Sequence, residues 1–113
     1  EPPAPVTPEP KATVKPRAAR QPTPQESYAA ELRLLHQAQV AYASQDFSAA
    51  LVLVAEHARQ FPHGRLAEER EALRVRSLAG SGRTEDARRA TAAFASRFPR
   101  SVLLPRLQET VGP

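Results

Sequence analysis

The chain has 113 residues, is 41% hydrophobic, carries a net charge of +4 and contains no cysteine. That excludes disulfides, thiolate metal sites and a cysteine nucleophile, and it leaves room for one small domain. The charge is a weak field: from Gln25 onward twelve arginines face ten acids, a balance of +2, with the signs interleaved as in Glu68-Glu69-Arg70-Glu71. A nucleic-acid binder clusters its cations on one face, so no nucleic-acid partner is expected. No apolar run reaches the ~18 residues that span a bilayer, and no direct membrane insertion is expected of this segment. Because it begins at Glu1 rather than methionine, the chain reads as a fragment or processed product whose anchor or targeting signal lies upstream.

Residues 1–22 hold seven of the twelve prolines and almost no large apolar side chain. Such a stretch cannot bury enough surface to offset ordering and is predicted to be a disordered, largely polyproline II linker, about 70 Å long if fully extended at ~3.1 Å per residue. Thr23-Pro24-Gln25-Glu26 then announces a helix: threonine at the N-cap, proline in the first turn and glutamate three residues on form a capping box. The first helix is predicted over 24–44, with Tyr28, Leu32, Leu35, Ala38 and Tyr42 recurring at helical spacing. Its first turns overhang the shorter helix that follows, and Tyr28 and Leu32 there form a candidate stripe for a partner helix or a second copy of the chain.

Gln45-Asp46-Phe47 breaks the period, and Asp46 or Ser48 can cap a second helix over 48–61. Pro62 stops it. A third helix is expected over 66–79, ended by the glycines of Gly80-Ser81-Gly82 in left-handed conformation. Thr84-Glu85-Asp86 opens a fourth over 84–97, with acids where the helix dipole favours them. Pro99 stops that one, and 102–111 gives a short fifth helix, which Pro105 can delay to Leu104.

Ser44 to Gly64 returns as Ser81 to Ser101, 37 residues later and without a gap, so that Ala50 lies over Ala87 and Phe61-Pro62 over Phe98-Pro99. Return at a fixed period predicts an all-α helical repeat: two hairpins and a closing fifth helix. Ala50 and Ala87 are expected where helices cross closely, and Phe61 and Phe98 as buried plugs at the foot of each second helix. Pro62 and Pro99 are the stops.

Helix, tight turn, helix, with small residues at the crossings and a proline after the second helix, resembles the tetratricopeptide repeat. The matching residues are Ala38, Asp46-Phe47, Ala50 and Pro62 in the first copy, and Gly82, Ala87 and Pro99 in the second. The phrase Phe61-Pro62-His63-Gly64-Arg65-Leu66, returning as Phe98-Pro99-Arg100-Ser101-Val102-Leu103, is similar to the envelope branch of that family, which includes the outer-membrane-assembly lipoprotein and the Tol-Pal coordinator. The resemblance covers residues 31–111. It implies a protein-interaction scaffold in the periplasm or cell envelope, tethered to the membrane through a missing upstream segment, with a cytoplasmic location still open; it implies no enzyme and no cofactor.

Carried over by the resemblance, a partner groove lined by first helices would hold Leu35, Gln39 and Tyr42, then Glu69, Ala72 and Arg76, then Arg106 and Glu109, with Arg76 and Arg106 able to hold a carboxylate. Leu35 and Gln39 stand where family members keep the lysine and asparagine that clamp a peptide C-terminus, so recognition of chaperone tails is not expected. His36, His57 and His63 do not share a helix face and offer no zinc set; His36 and His57 are expected as packing residues. Gly80-Ser81-Gly82-Arg83 lacks the lysine and the strand of a phosphate loop, and no serine sits in a nucleophile elbow. A protein or peptide partner is expected, or assembly of the chain with itself.

Overall fold

The computed structural model describes residues 21–112. The proline-rich linker predicted over 1–22 lies, through residue 20, outside the described residues. The described part is all-helical, with α1 at Pro24–Ala43, α2 at Phe47–Gln60, α3 at Ala67–Gly80, α4 at Thr84–Arg97 and α5 at Leu104–Val111. Among the described residues there is no strand, and no helix is long and apolar enough to cross a membrane.

Local chemistry sets the helix starts. Thr23 accepts the Glu26 N–H at 3.1 Å while the Glu26 carboxylate accepts the Thr23 N–H at 2.9 Å, which closes the capping box reciprocally. Asp46, not Ser48, caps α2 by accepting the Ala49 N–H at 3.2 Å, and Ser48 lies inside the helix. Pro105 sits in the first turn of α5, so that helix begins at Leu104 rather than at 102.

The two tight turns are built alike. Asp46 N–H donates to the Ala41 carbonyl and Gln45 N–H to Tyr42; 37 residues on, Arg83 N–H donates to Leu78 and Gly82 N–H to Ala79. This is the Schellman pattern, which needs one left-handed residue. Gly82 supplies it at φ 84° and Gln45 at φ 62°. The expectation of two left-handed glycines is therefore corrected: Gly80 is the last helical residue of α3, where a Cβ would lie 2.6 Å from the Phe47 ring.

Successive helices pack in series, and in addition α3 lies against α1 and α5 against α3. The core divides at α3 into two parts. Leu35, Ala38, Val54, Leu66 and Leu73 bury one cluster, and Ala72, Val75, Leu78, Ala87, Ala90, Phe94 and Leu107 bury the other. Leu73 and Leu66 thus face back toward the first hairpin, while Ala72 and Val75 face on toward α4 and α5. Ala50 and Ala87 are fully buried, as small residues at close crossings should be. Phe61 and Phe98, expected as buried plugs, are only half-buried; each ends its helix as the C-cap and leans on the buried ring one turn earlier, His57 at 5.4 Å and Phe94 at 5.1 Å between centroids. Pro62 and Pro99 are exposed in the turns.

Candidate functional site

Of the residues assigned to a groove, Gln39 on α1, Glu69 on α3, and Arg106 and Glu109 on α5 are exposed, and Arg76 is half-exposed. Among the described residues none of these five side chains has a hydrogen bond or ion pair. They stand on the three helices in serial contact, α3 being packed against both α1 and α5. Leu35 and Ala72 are corrections: at 4% and 1% exposure both are core, because each lies on its helix face toward a neighbouring helix rather than toward solvent. Tyr42 is half-buried, with its ring edge-on to Phe47 at 5.7 Å.

The stripe at the start of α1 is also altered. Tyr28 packs against the first core and is covered by the Arg65 guanidinium, 4.2 Å from its ring centroid. Leu32 is 45% exposed, and the apolar exposure on α1 continues not back to Tyr28 but forward to Val40, which is 51% exposed.

A second constellation escaped the sequence reading. Glu31, His57 and Arg70 are all buried, at 3%, 0% and 2% exposure, and come from three helices. Glu31 reaches from α1 into the α2–α3 turn, where its carboxylate accepts the Arg65 N–H at 3.1 Å and the Leu66 N–H at 3.0 Å. Leu66 is the N-cap of α3 and has no capping side chain of its own. Glu31 therefore serves as a cap supplied from another helix, a negative charge at a helix N-terminus.

His57 stands between the two charges. Its Nδ1 lies 3.3 Å from Arg70 Nη1. Because a guanidinium only donates, Nδ1 accepts and the proton of the neutral ring is on Nε2, which faces Glu31 Oε1 at 3.2 Å. That Nε2 contact is a close polar approach without hydrogen-bond alignment. Arg70 is held further by donation from Nη1 to the Phe61 carbonyl at 3.1 Å and from Nε to Glu71 at 2.7 Å. Burial pushes the His57 imidazole below its ordinary value; the Arg70 charge pushes the same way, and Glu31 opposes both. His57 is thus a member of a polar network, not a plain packing residue, and His36 is exposed rather than packed.

Adding 37 to each member gives Glu68, Phe94 and Leu107. Glu68 keeps the capping role in modified form: Ser101 Oγ donates to it and accepts the Leu103 N–H at 3.0 Å. Phe94 and Leu107, at 2% and 0% exposure, fill the positions of His57 and Arg70 with hydrocarbon. One signal of the network was present in the sequence, a histidine and an arginine standing where the second copy has phenylalanine and leucine. Across known proteins, no family model matches the chain, and neither the curated proteins nor the solved structures searched give a match.

Proposed function

We propose that the chain is a non-enzymatic protein-interaction module of the tetratricopeptide-like kind, α1–α2 and α3–α4 being its hairpins and α5 its closing cap. It would be displayed on the proline-rich stalk in the bacterial envelope and anchored through an upstream segment. The observation that carries this reading is the row of first helices: α1, α3 and α5 in series, presenting Gln39, Glu69, Arg76, Arg106 and Glu109 with their polar groups unengaged. Supporting it, α2 and α4 are both 14 residues long and start 37 apart, at Phe47 and Thr84. Free arginines in such a row suit a carboxylate-bearing peptide through charge-assisted bonds.

The test is affinity capture from envelope extract with the immobilised chain, compared with Arg76→Glu/Arg106→Glu. A protein retained by the native chain and lost with the charge-reversed one supports the groove; equal retention, or retention of nothing, removes it. A second reading, homo-oligomeric assembly through α1, is favoured by the exposed Leu32 and Val40. Light scattering across a concentration series decides it, since a concentration-independent monomer would end that reading.

A further inference from the structure

The two places where helices stack across α3 use different chemistry, and the difference is confined to matched positions. Glu31, His57 and Arg70 join α1, α2 and α3, whereas Phe94 and Leu107 join α4 and α5. Both contacts keep a carboxylate, Glu31 in one and Glu68 in the other, but only the first pairs a titratable ring with a cation. We propose that the Glu31–His57–Arg70 cluster is an acid-sensitive latch: protonation of His57 expels Arg70 from its contact and loosens the α1–α2 hairpin from α3, while α3, α4 and α5 stay packed.

The geometry supplies the mechanism. In the neutral ring Nδ1 is an acceptor for Arg70. Once protonated, Nδ1 becomes a donor and meets the guanidinium as cation against cation at the same distance, in a site without water access. The charged groups facing His57 are Glu31 from α1 and Arg70 and Glu71 from α3; none comes from α4 or α5 among the described residues. Glu31 can answer the new charge through Nε2 only by tightening onto His57, which draws the carboxylate from the Arg65 and Leu66 N–H groups it caps. Arg70 has an alternative partner already in place, since its Nε is bonded to Glu71. Leaving His57 also withdraws Arg70 Nη1 from the Phe61 carbonyl, which then keeps only the Gly64 N–H of its own turn at 3.0 Å, so the tie between the end of α2 and α3 in this network is lost.

The sign follows from burial. The folded protein holds His57 below the ordinary 6.5, so the unfolded chain binds the proton more readily. Stability is therefore full above pH 6.5 and is lost as pH falls below it toward the folded value. Carboxylates titrate near pH 4, so a comparison of pH 7.5 with pH 5.5 reads mainly histidine.

The deciding experiment compares the full chain with His57→Phe/Arg70→Leu, which copies the pairing that the protein already uses at Phe94 and Leu107. For the native chain, Tm should fall between pH 7.5 and 5.5, and amide protection should drop at Arg65, Leu66 and along α1 before it drops in α4. The double variant should lose that pH dependence. A native Tm unchanged over the interval, or an equal fall in the double variant, overturns the proposal; uniform loss of protection across all five helices overturns the selective release. If the double variant fails to fold, the His57 ring titration and the protection pattern of the native chain still decide it: a ring that protonates with no change at Arg65 and Leu66 is not a latch.

Discussion

The Glu31 carboxylate lies directly beneath Gly64, so close that a Cβ built on Gly64 would sit 2.2 Å from Glu31 Oε1. Gly64 is not in left-handed conformation; it is needed for the space. Gly64→Ala would push the carboxylate off the Arg65 and Leu66 N–H groups, and hydrogen bonds to a charged group contribute about 1.5–3 kcal/mol each. The expected loss is about 2–3 kcal/mol by chemical denaturation. Gly64→Ser should cost less than the alanine, because Ser101 at the matched position passes the Glu68 interaction on to a backbone N–H through its hydroxyl. If serine proved as damaging as alanine, the relay seen in the second copy could not be transferred to the first.

The two Schellman turns differ by one side chain at the left-handed position, Gln45 in one and Gly82 in the other. A side chain there crowds its own backbone at a cost of about 1–2 kcal/mol, part of which glycine gives back through its larger unfolded-state entropy. Gln45→Gly should thus raise stability by about 0.5–1 kcal/mol, and Gly82→Gln should lower it by at least as much. Urea midpoints of the two single variants should move in opposite directions.

Ala50 and Ala87 are both wholly buried, and a leucine at either has no room without separating two helices. Ala50→Leu and Ala87→Leu are each expected to cost about 1–3 kcal/mol by overpacking. Ala50 stands at the first hairpin and Ala87 within the second core cluster. Amide exchange should therefore report the damage in α1 and α2 for the one and in α3 and α4 for the other.

What was legible in the chain follows from the range of the forces involved. Thr23, Pro24 and Glu26 act on their own backbone, as do Asp46, Pro62 and Pro99, so four helix ends could be read from adjacent residues. The period of 37 carried the matching of α2 with α4. Glu31 was not legible because the N–H groups it caps lie 34 and 35 residues away, and on its own helix it reads as one more surface acid. Arg70 was hidden the same way, inside an alternating run of charges of which three members are at least partly exposed. Leu35 and Ala72 failed as groove residues because the resemblance assigns positions along a helix, whereas which face meets a neighbour depends on the crossing. The Gly80-Ser81-Gly82 stretch shows the limit of composition: both glycines matter, but Gly80 for its clearance from Phe47 and only Gly82 for its dihedral angle.

Phe94 and Phe98 separate burial from position in the repeat. Phe94 is 2% exposed inside the second core cluster, and Phe98 only packs partly against it. Truncating a fully buried ring leaves a cavity as well as losing transfer energy, about 3–5 kcal/mol together, and a half-buried ring forfeits mainly the area it covers. Phe94→Ala should therefore cost about 3–5 kcal/mol and Phe98→Ala clearly less, although Phe98-Pro99 is the more conspicuous phrase in the sequence. Phe61→Ala, at the matched end of α2, should resemble Phe98→Ala in size but differ in kind, since the Phe61 carbonyl and not its ring receives Arg70. Thermal unfolding of the three variants ranks them, and a Phe98 variant as unstable as the Phe94 one would mean that the foot of α4, not its middle, holds the second core together.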